Sequence, residues 1–156
     1  MSGATMEILK KETYLKAVEN AVGTRMFNSL FVRFSDDREA KDILNDGMYS
    51  CAFFVSAVLY LSDMLDKPYA TVASLLGSLE KDTRWRQVDI GDIKAGDVIV
   101  WEKIRFDDGS ENAHTGFGVT GTEAVSTDYK QKMVARHPIV SETLSRKIEA
   151  VYRYSW

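Results

Sequence analysis

The residues of this chain best suited by type to covalent chemistry are one cysteine and one histidine. Cys51 is the only thiol among 156 residues. It follows Ser50, an N-cap type, and opens the apolar run Ala52-Phe53-Phe54-Val55, which places it in the first turn of an expected helix. First-turn N–H groups and the helix dipole put partial positive charge at that end, which favours an ionised sulfur. His114 follows far downstream, at the head of His114-Thr115-Gly116-Phe117-Gly118-Val119. An imidazole folded against such a thiol completes the smallest apparatus of a cysteine nucleophile.

Each residue has a plainer reading. A lone cysteine on an apolar helix is commonly a small core residue, although such a residue gains nothing from standing at the helix start. A histidine at a strand start is commonly an exposed loop residue, but the glycines after His114 argue for close backbone approach there. His137, before Pro138, reads as a surface histidine in a late strand. Trp85, Trp101 and Trp156 suit packing against a sheet, and Asp97 suits binding of local backbone N–H groups in a strand-entry turn.

Other chemistries find less support. One Cys and two His, without CxxC or HxxxH spacing, make no closed metal site, and the glycines form no phosphate-cradling pattern. No metal and no cofactor is therefore expected. A net charge of −3 with no long Lys/Arg block argues against nucleic acid as a partner. A single thiol excludes an internal disulfide framework. The longest apolar run, Ala52 to Leu61, is too short for a membrane span and is broken by Ser56. Met1 to Lys11 carries Lys and Glu and no signal-peptide core, so the residues suggest a soluble chain without settling its compartment.

The elements that must position Cys51 and His114 follow from periodicity. Ile8, Leu15, Val18 and Val22 mark an amphipathic helix over Glu7 to Val22, and Asp36 to Leu44 suggests a short second helix closing at Asp46-Gly47. The Cys51 helix runs to about Leu65 and is apolar almost all round, so burial on most sides is expected. Another helix spans Pro68 or Thr71 to Leu79. The period then changes. Asp97–Trp101, His114–Val119, Ala124–Asp128, Met133–Val140 and Ile148–Tyr154 read as short strands, with Thr120 to Glu123 as a hairpin turn. Helices followed by antiparallel strands make an α+β domain. The whole of 1–156 reads as one domain, with a helical extension over 1–45 and a core over 47–156.

Three segments in order carry a resemblance: Ser50-Cys51-Ala52-Phe53-Phe54-Val55, Ala95-Gly96-Asp97-Val98-Ile99-Val100-Trp101 and His114-Thr115-Gly116-Phe117-Gly118-Val119. Together they resemble the NlpC/P60 superfamily of papain-like cysteine peptidases and amidases, over about Gly47 to Asp128. The resemblance implies a papain-like fold with N-terminal helices packed on a central antiparallel sheet. It implies Cys51 as nucleophile, His114 as base and then acid, and a third polar residue that orients the imidazole. That third position falls on Ser126, with Thr127, Asp128 and His137 as alternatives. Tyr49, Ser50 and Trp101 would stand on the substrate side, and the backbone N–H of Cys51 would serve the oxyanion. The substrate would be a peptide or peptidoglycan stem. Ser50-Cys51-Ala52-Phe53 departs from the family's usual Asp-Cys-Ser-Gly, and the usual upstream Tyr-Trp-Gly segment is missing. An acyltransferase, a CHAP-type amidase and a catalytically inactive binding domain remain open beside the hydrolase.

Overall fold

The computed structural model describes residues 3–141 and 146–156. Its elements are α1 (Lys10–Asn20), β1 (Phe31–Phe34), β2 (Asp37–Asp42), α2 (Cys51–Leu61), α3 (Val72–Lys81), β3 (Trp85–Val88), β4 (Val98–Arg105), β5 (Glu111–Gly118), β6 (Glu123–Asp128), β7 (Met133–Pro138) and β8 (Ile148–Tyr154). Strands β3 to β8 form one antiparallel sheet in the order β3-β8-β4-β5-β6-β7, and β1 pairs with β2 in a separate hairpin. The α+β papain-like expectation is thereby overturned: sheet dominates, and the three helices have only 10 or 11 residues each. This is a β-rich domain.

The largest local departure is Asp36 to Leu44, expected as helix and found in the β1–β2 hairpin. Its Arg, Glu, Ala and Lys favour helix, but propensity is a weak prior when Phe31–Phe34 offers a partner strand. The Asp42 carboxylate closes the hairpin by accepting the backbone N–H groups of Leu30, Leu44 and Asp46 at 3.0, 3.1 and 2.9 Å. Strand β3 had no sequence expectation; it is a four-residue edge paired to β8. Helix α1 is shorter than its periodicity suggested. It buries Tyr14 and Val18 and leaves Ile8 and Val22 in solvent.

Helix α2 lies against β5 and β6, with α1 and α3 beside it. It buries Phe54, Val55, Ala57, Val58 and Leu59, and Phe54 meets Phe117 of β5 edge-on at 5.5 Å. Ser56, which interrupts the apolar run, is fully buried yet satisfied. Its Oγ accepts the Tyr69 N–H and donates to the Ala52 carbonyl, each at 2.6 Å. The first four residues of β4 are all buried, because apolar clusters lie on either side of them. Val98, Val100 and Phe117 join the helix-side core, while Ile99, Trp101, Ala124 and Ile139 form a second cluster. Among the described residues, no helix is long and apolar enough to cross a membrane.

Candidate functional site

The chain reaches Cys51 through a turn in which Asn45, Asp46 and Gly47 all have positive φ (50°, 49° and 91°). A side chain at Gly47 would also collide with Asn28, so glycine is required there twice over. Ser50 occupies the N-cap position but makes no capping bond. Its backbone is helical, its side chain is buried, and its Oγ donates to the Gly47 carbonyl at 3.2 Å. Ser50 thus braces the turn and does not line the cavity described below.

Cys51 Sγ meets the Ala113 carbonyl at 3.9 Å, on the residue before His114, and the Thr115 N–H also points to the sulfur. Among the described residues no hydrogen bond joins the sulfur to an imidazole. Burial pushes the thiol pKa above its ordinary value, outweighing those N–H contacts and the positive field of Arg146. The helix start therefore does not produce a standing thiolate here, contrary to the expectation from position.

His114 sits directly opposite Trp101, on the sheet face away from α2, as the β4–β5 register requires. Ser126, Ala124 and His137 share that face: Ala124 pairs with His137, and Ser126 lies two residues along β6. Strands β5 and β6 pair only at Phe117–Val125 and Gly118–Ala124 and then part. The parting lets α2 deliver a thiol to the β5 backbone beside an imidazole from the other face. Gly116 permits the close approach, since a Cβ there would lie 2.7 Å from both Ser126 Cβ and the Val125 carbonyl oxygen.

A directed hydrogen-bond chain runs from His114. The Pro138 carbonyl can only accept, so at 2.9 Å it accepts a hydrogen bond from His137 Nδ1–H. In neutral His137 this leaves Nε2 as an acceptor, which the Ser126 hydroxyl supplies at 2.6 Å. Ser126 Oγ in turn accepts from His114 Nε2–H at 2.9 Å. His114 Nδ1 is then the nitrogen left to take up a proton. Burial first, then Arg146 and His137, push the His114 pKa down to about 3. His114 is accordingly a neutral base at neutral pH.

Cys51, His114, Ser126 and His137 all open on one cavity of about 960 Å³. Thr127 and Asp128 also line it, while the hydrogen bond of the His114 ring goes to Ser126. Trp101 is buried, donates Nε1–H to the Ile139 carbonyl at 3.1 Å, and backs the rings of His114 and His137 at 5.4 and 5.8 Å. Tyr49 lines the cavity mouth, stacked on Phe106, with its hydroxyl donated to Asp108 at 2.7 Å. That bond raises the Tyr49 pKa, while the Ser110 hydroxyl first and Tyr49 second lower that of Asp108. His137, read from sequence as a surface residue and as an alternative for the third position, is the next member of the hydrogen-bond chain; it pairs with Ala124 across β6 and β7, on the face that Ser126 shares. Arg146 also lines the cavity and had no sequence signal at all. Among the described residues, no three Cys, His, Asp or Glu side chains converge as metal ligands.

Comparison with known proteins found no family model and no curated sequence that matches this chain.

Proposed function

We propose that this protein is a cysteine hydrolase of the NlpC/P60 kind, cleaving an amide bond in a peptide or peptidoglycan stem. The observation that carries the reading is the Cys51 thiol opening on the same cavity as a neutral His114 whose Nε2–H is fixed by Ser126 and His137. The likeness to that superfamily is drawn from the order of the Cys51, Asp97-to-Trp101 and His114 segments, not from the architecture.

In this mechanism His114 Nδ1 takes the Cys51 proton as the sulfur attacks the substrate carbonyl. The oxyanion lies against the Cys51 backbone N–H at the start of α2. The Nδ1–H then protonates the leaving amine as the C–N bond breaks, leaving a thioester. Water, deprotonated by His114, attacks the thioester; the acid leaves and the thiol is restored. Proton transfer requires the sulfur and imidazole to close on each other when substrate is bound, as catalytic contacts often do.

Intact-mass spectrometry after exposure to p-nitrophenyl esters of N-acetyl amino acids tests this. An acyl adduct discharged by hydroxylamine is expected on the wild type and not on Cys51→Ala. His114→Gln should slow acylation by about 10²–10⁴-fold. An adduct of equal yield in Cys51→Ala, or none in the wild type, ends the proposal. The absence of a sulfur–imidazole bond and the raised thiol pKa favour a second reading, a binding domain without chemistry. An unacylated wild type that still binds peptide would select it.

A further inference from the structure

Pro138 restricts where His137 can gain a proton. Its carbonyl accepts the His137 Nδ1–H at 2.9 Å and has nothing to donate, so that nitrogen carries hydrogen in the neutral and the charged imidazole alike. Uptake of a proton therefore falls on Nε2, the atom that meets Ser126 Oγ at 2.6 Å. His137 is half-buried and lines the cavity, so solvent can deliver that proton.

Ser126 cannot absorb the change. Beside a neutral His137 it accepts from His114 Nε2–H and donates to His137 Nε2. A charged His137 donates from Nε2, and among the described residues the single hydroxyl proton then has one other acceptor, His114 Nε2 at 2.9 Å. A hydroxyl turned to neither ring would leave its proton unmet on a side chain that is 2 % exposed. His114 meets the reversed bond by changing tautomer and not by charging, since burial, Arg146 and His137 all oppose a positive ring there. One proton leaves its Nε2 for solvent and one from solvent settles on Nδ1, so the net gain is the single proton on His137.

We infer that His137 is a positioning residue whose protonation reverses the His114–Ser126–His137 chain and removes the basic nitrogen that His114 presents to Cys51. With Nδ1 already carrying hydrogen, His114 has no lone pair for the thiol proton, and acylation stops. Imidazole is the side chain that ordinarily titrates between pH 5 and 8, so acid inactivation begins at the outer ring of the chain. The other charged groups lining the cavity are Lys103 on β4, Glu111 on β5, Asp128 on β6, Lys130 beyond it, Arg136 on β7 and Arg146 before β8, and α2 contributes the Cys51 thiol. Among the described residues none of these hydrogen-bonds to either ring, so Pro138 and His137 set the direction of the chain. The inference rests on the hydrolase reading for its consequence, but the tautomer it predicts is measured without substrate.

Imidazole 15N spectra recorded between about pH 8 and pH 5 test it. The chain has two histidines, so His137→Gln leaves His114 alone and assigns it. In the wild type the His114 hydrogen should pass from Nε2 to Nδ1 as His137 takes up its proton, with His114 uncharged throughout. In Ser126→Ala, His137 should titrate without that exchange. A His114 that keeps Nε2–H beside a charged His137, or an exchange that persists in Ser126→Ala, overturns the inference. The second measurement is the pH profile of acylation by a p-nitrophenyl ester of an N-acetyl amino acid. Its acid limb should coincide with the His137 titration, falling roughly tenfold per pH unit, and His137→Gln should move it down by at least about one unit. A limb at the same pH in His137→Gln overturns the inference. Should the wild type not acylate at all, the hydrolase reading fails by itself, and the spectra still decide the role of His137.

Discussion

Ser126 is a small residue with two large dependants. Among the described residues its hydroxyl links His114 Nε2 to His137 Nε2, and it passes to His114 the direction that the Pro138 carbonyl sets at His137. Ser126→Ala leaves both nitrogens without their partner. A loss of about 1–3 kcal/mol in folding stability is expected, read by urea denaturation. His114 adds a pH dependence with a definite sign. Its pKa is about 3 in the folded protein and near its ordinary 6.5 when unfolded. Between those values the unfolded chain binds the extra proton, so stability is full above about pH 6.5 and falls as pH drops toward 3. The slope reaches at most about 1.4 kcal/mol per pH unit, and His114→Gln should flatten it. Equal acid sensitivity in the two proteins, by urea midpoints between neutral pH and about pH 4.5, would contradict a neutral imidazole at this half-buried position.

At the scale of elements, the site exists because two strands stop pairing. Beyond Phe117–Val125 the β5 and β6 backbones separate, and the start of α2 fills the opening on one face. Gly116 sets how near the strands come before they part, with no room for a Cβ against Ser126 and Val125. Gly116→Ala should therefore push β6 away, lengthen the His114–Ser126 bond, and destabilise by about 1–3 kcal/mol, as overpacking does. Thermal denaturation reports the stability and the imidazole NMR resonances report the bond; unchanged resonances would show that the strand spacing does not depend on this glycine. Helix α2 was legible because a run of Ala, Phe and Val after Ser50 admits few other structures. The β1–β2 hairpin was not, since its charged residues are mostly exposed and their pairing is set by Phe31–Phe34 and the Asp42 carboxylate.

Over the whole molecule, the ends of the chain are tied to the middle of the sheet. Arg153 on β8 grips the buried Asp97 carboxylate with Nε at 2.8 Å and Nη2 at 2.7 Å, and Asp97 also accepts the Lys94 N–H at 2.8 Å. The expectation that Asp97 binds local backbone was therefore half of its role. Tyr14 of α1 donates to the Gly96 carbonyl at 2.7 Å in the same turn, so α1, β4 and β8 are anchored within a few residues. Arg153→Met strands a carboxylate that is 2 % exposed. The expected loss is about 3–5 kcal/mol by chemical denaturation, and a loss under about 1 kcal/mol would place Asp97 in contact with water.

The sequence by itself determined that a helix begins at Cys51 and that β4 to β8 are strands, because apolar period and glycine placement are local properties; it put His114 at a strand start, whereas β5 already begins at Glu111. It could not determine that sheet outweighs helix, since the edge strand β3 and the hairpin are defined by partners distant in the chain. Nor could it decide that Ser126 lies between two imidazoles, or that burial raises the Cys51 thiol against the pull of its helix. Those outcomes depend on strand register and on desolvation, and both are set only when segments far apart in sequence exclude water from one another.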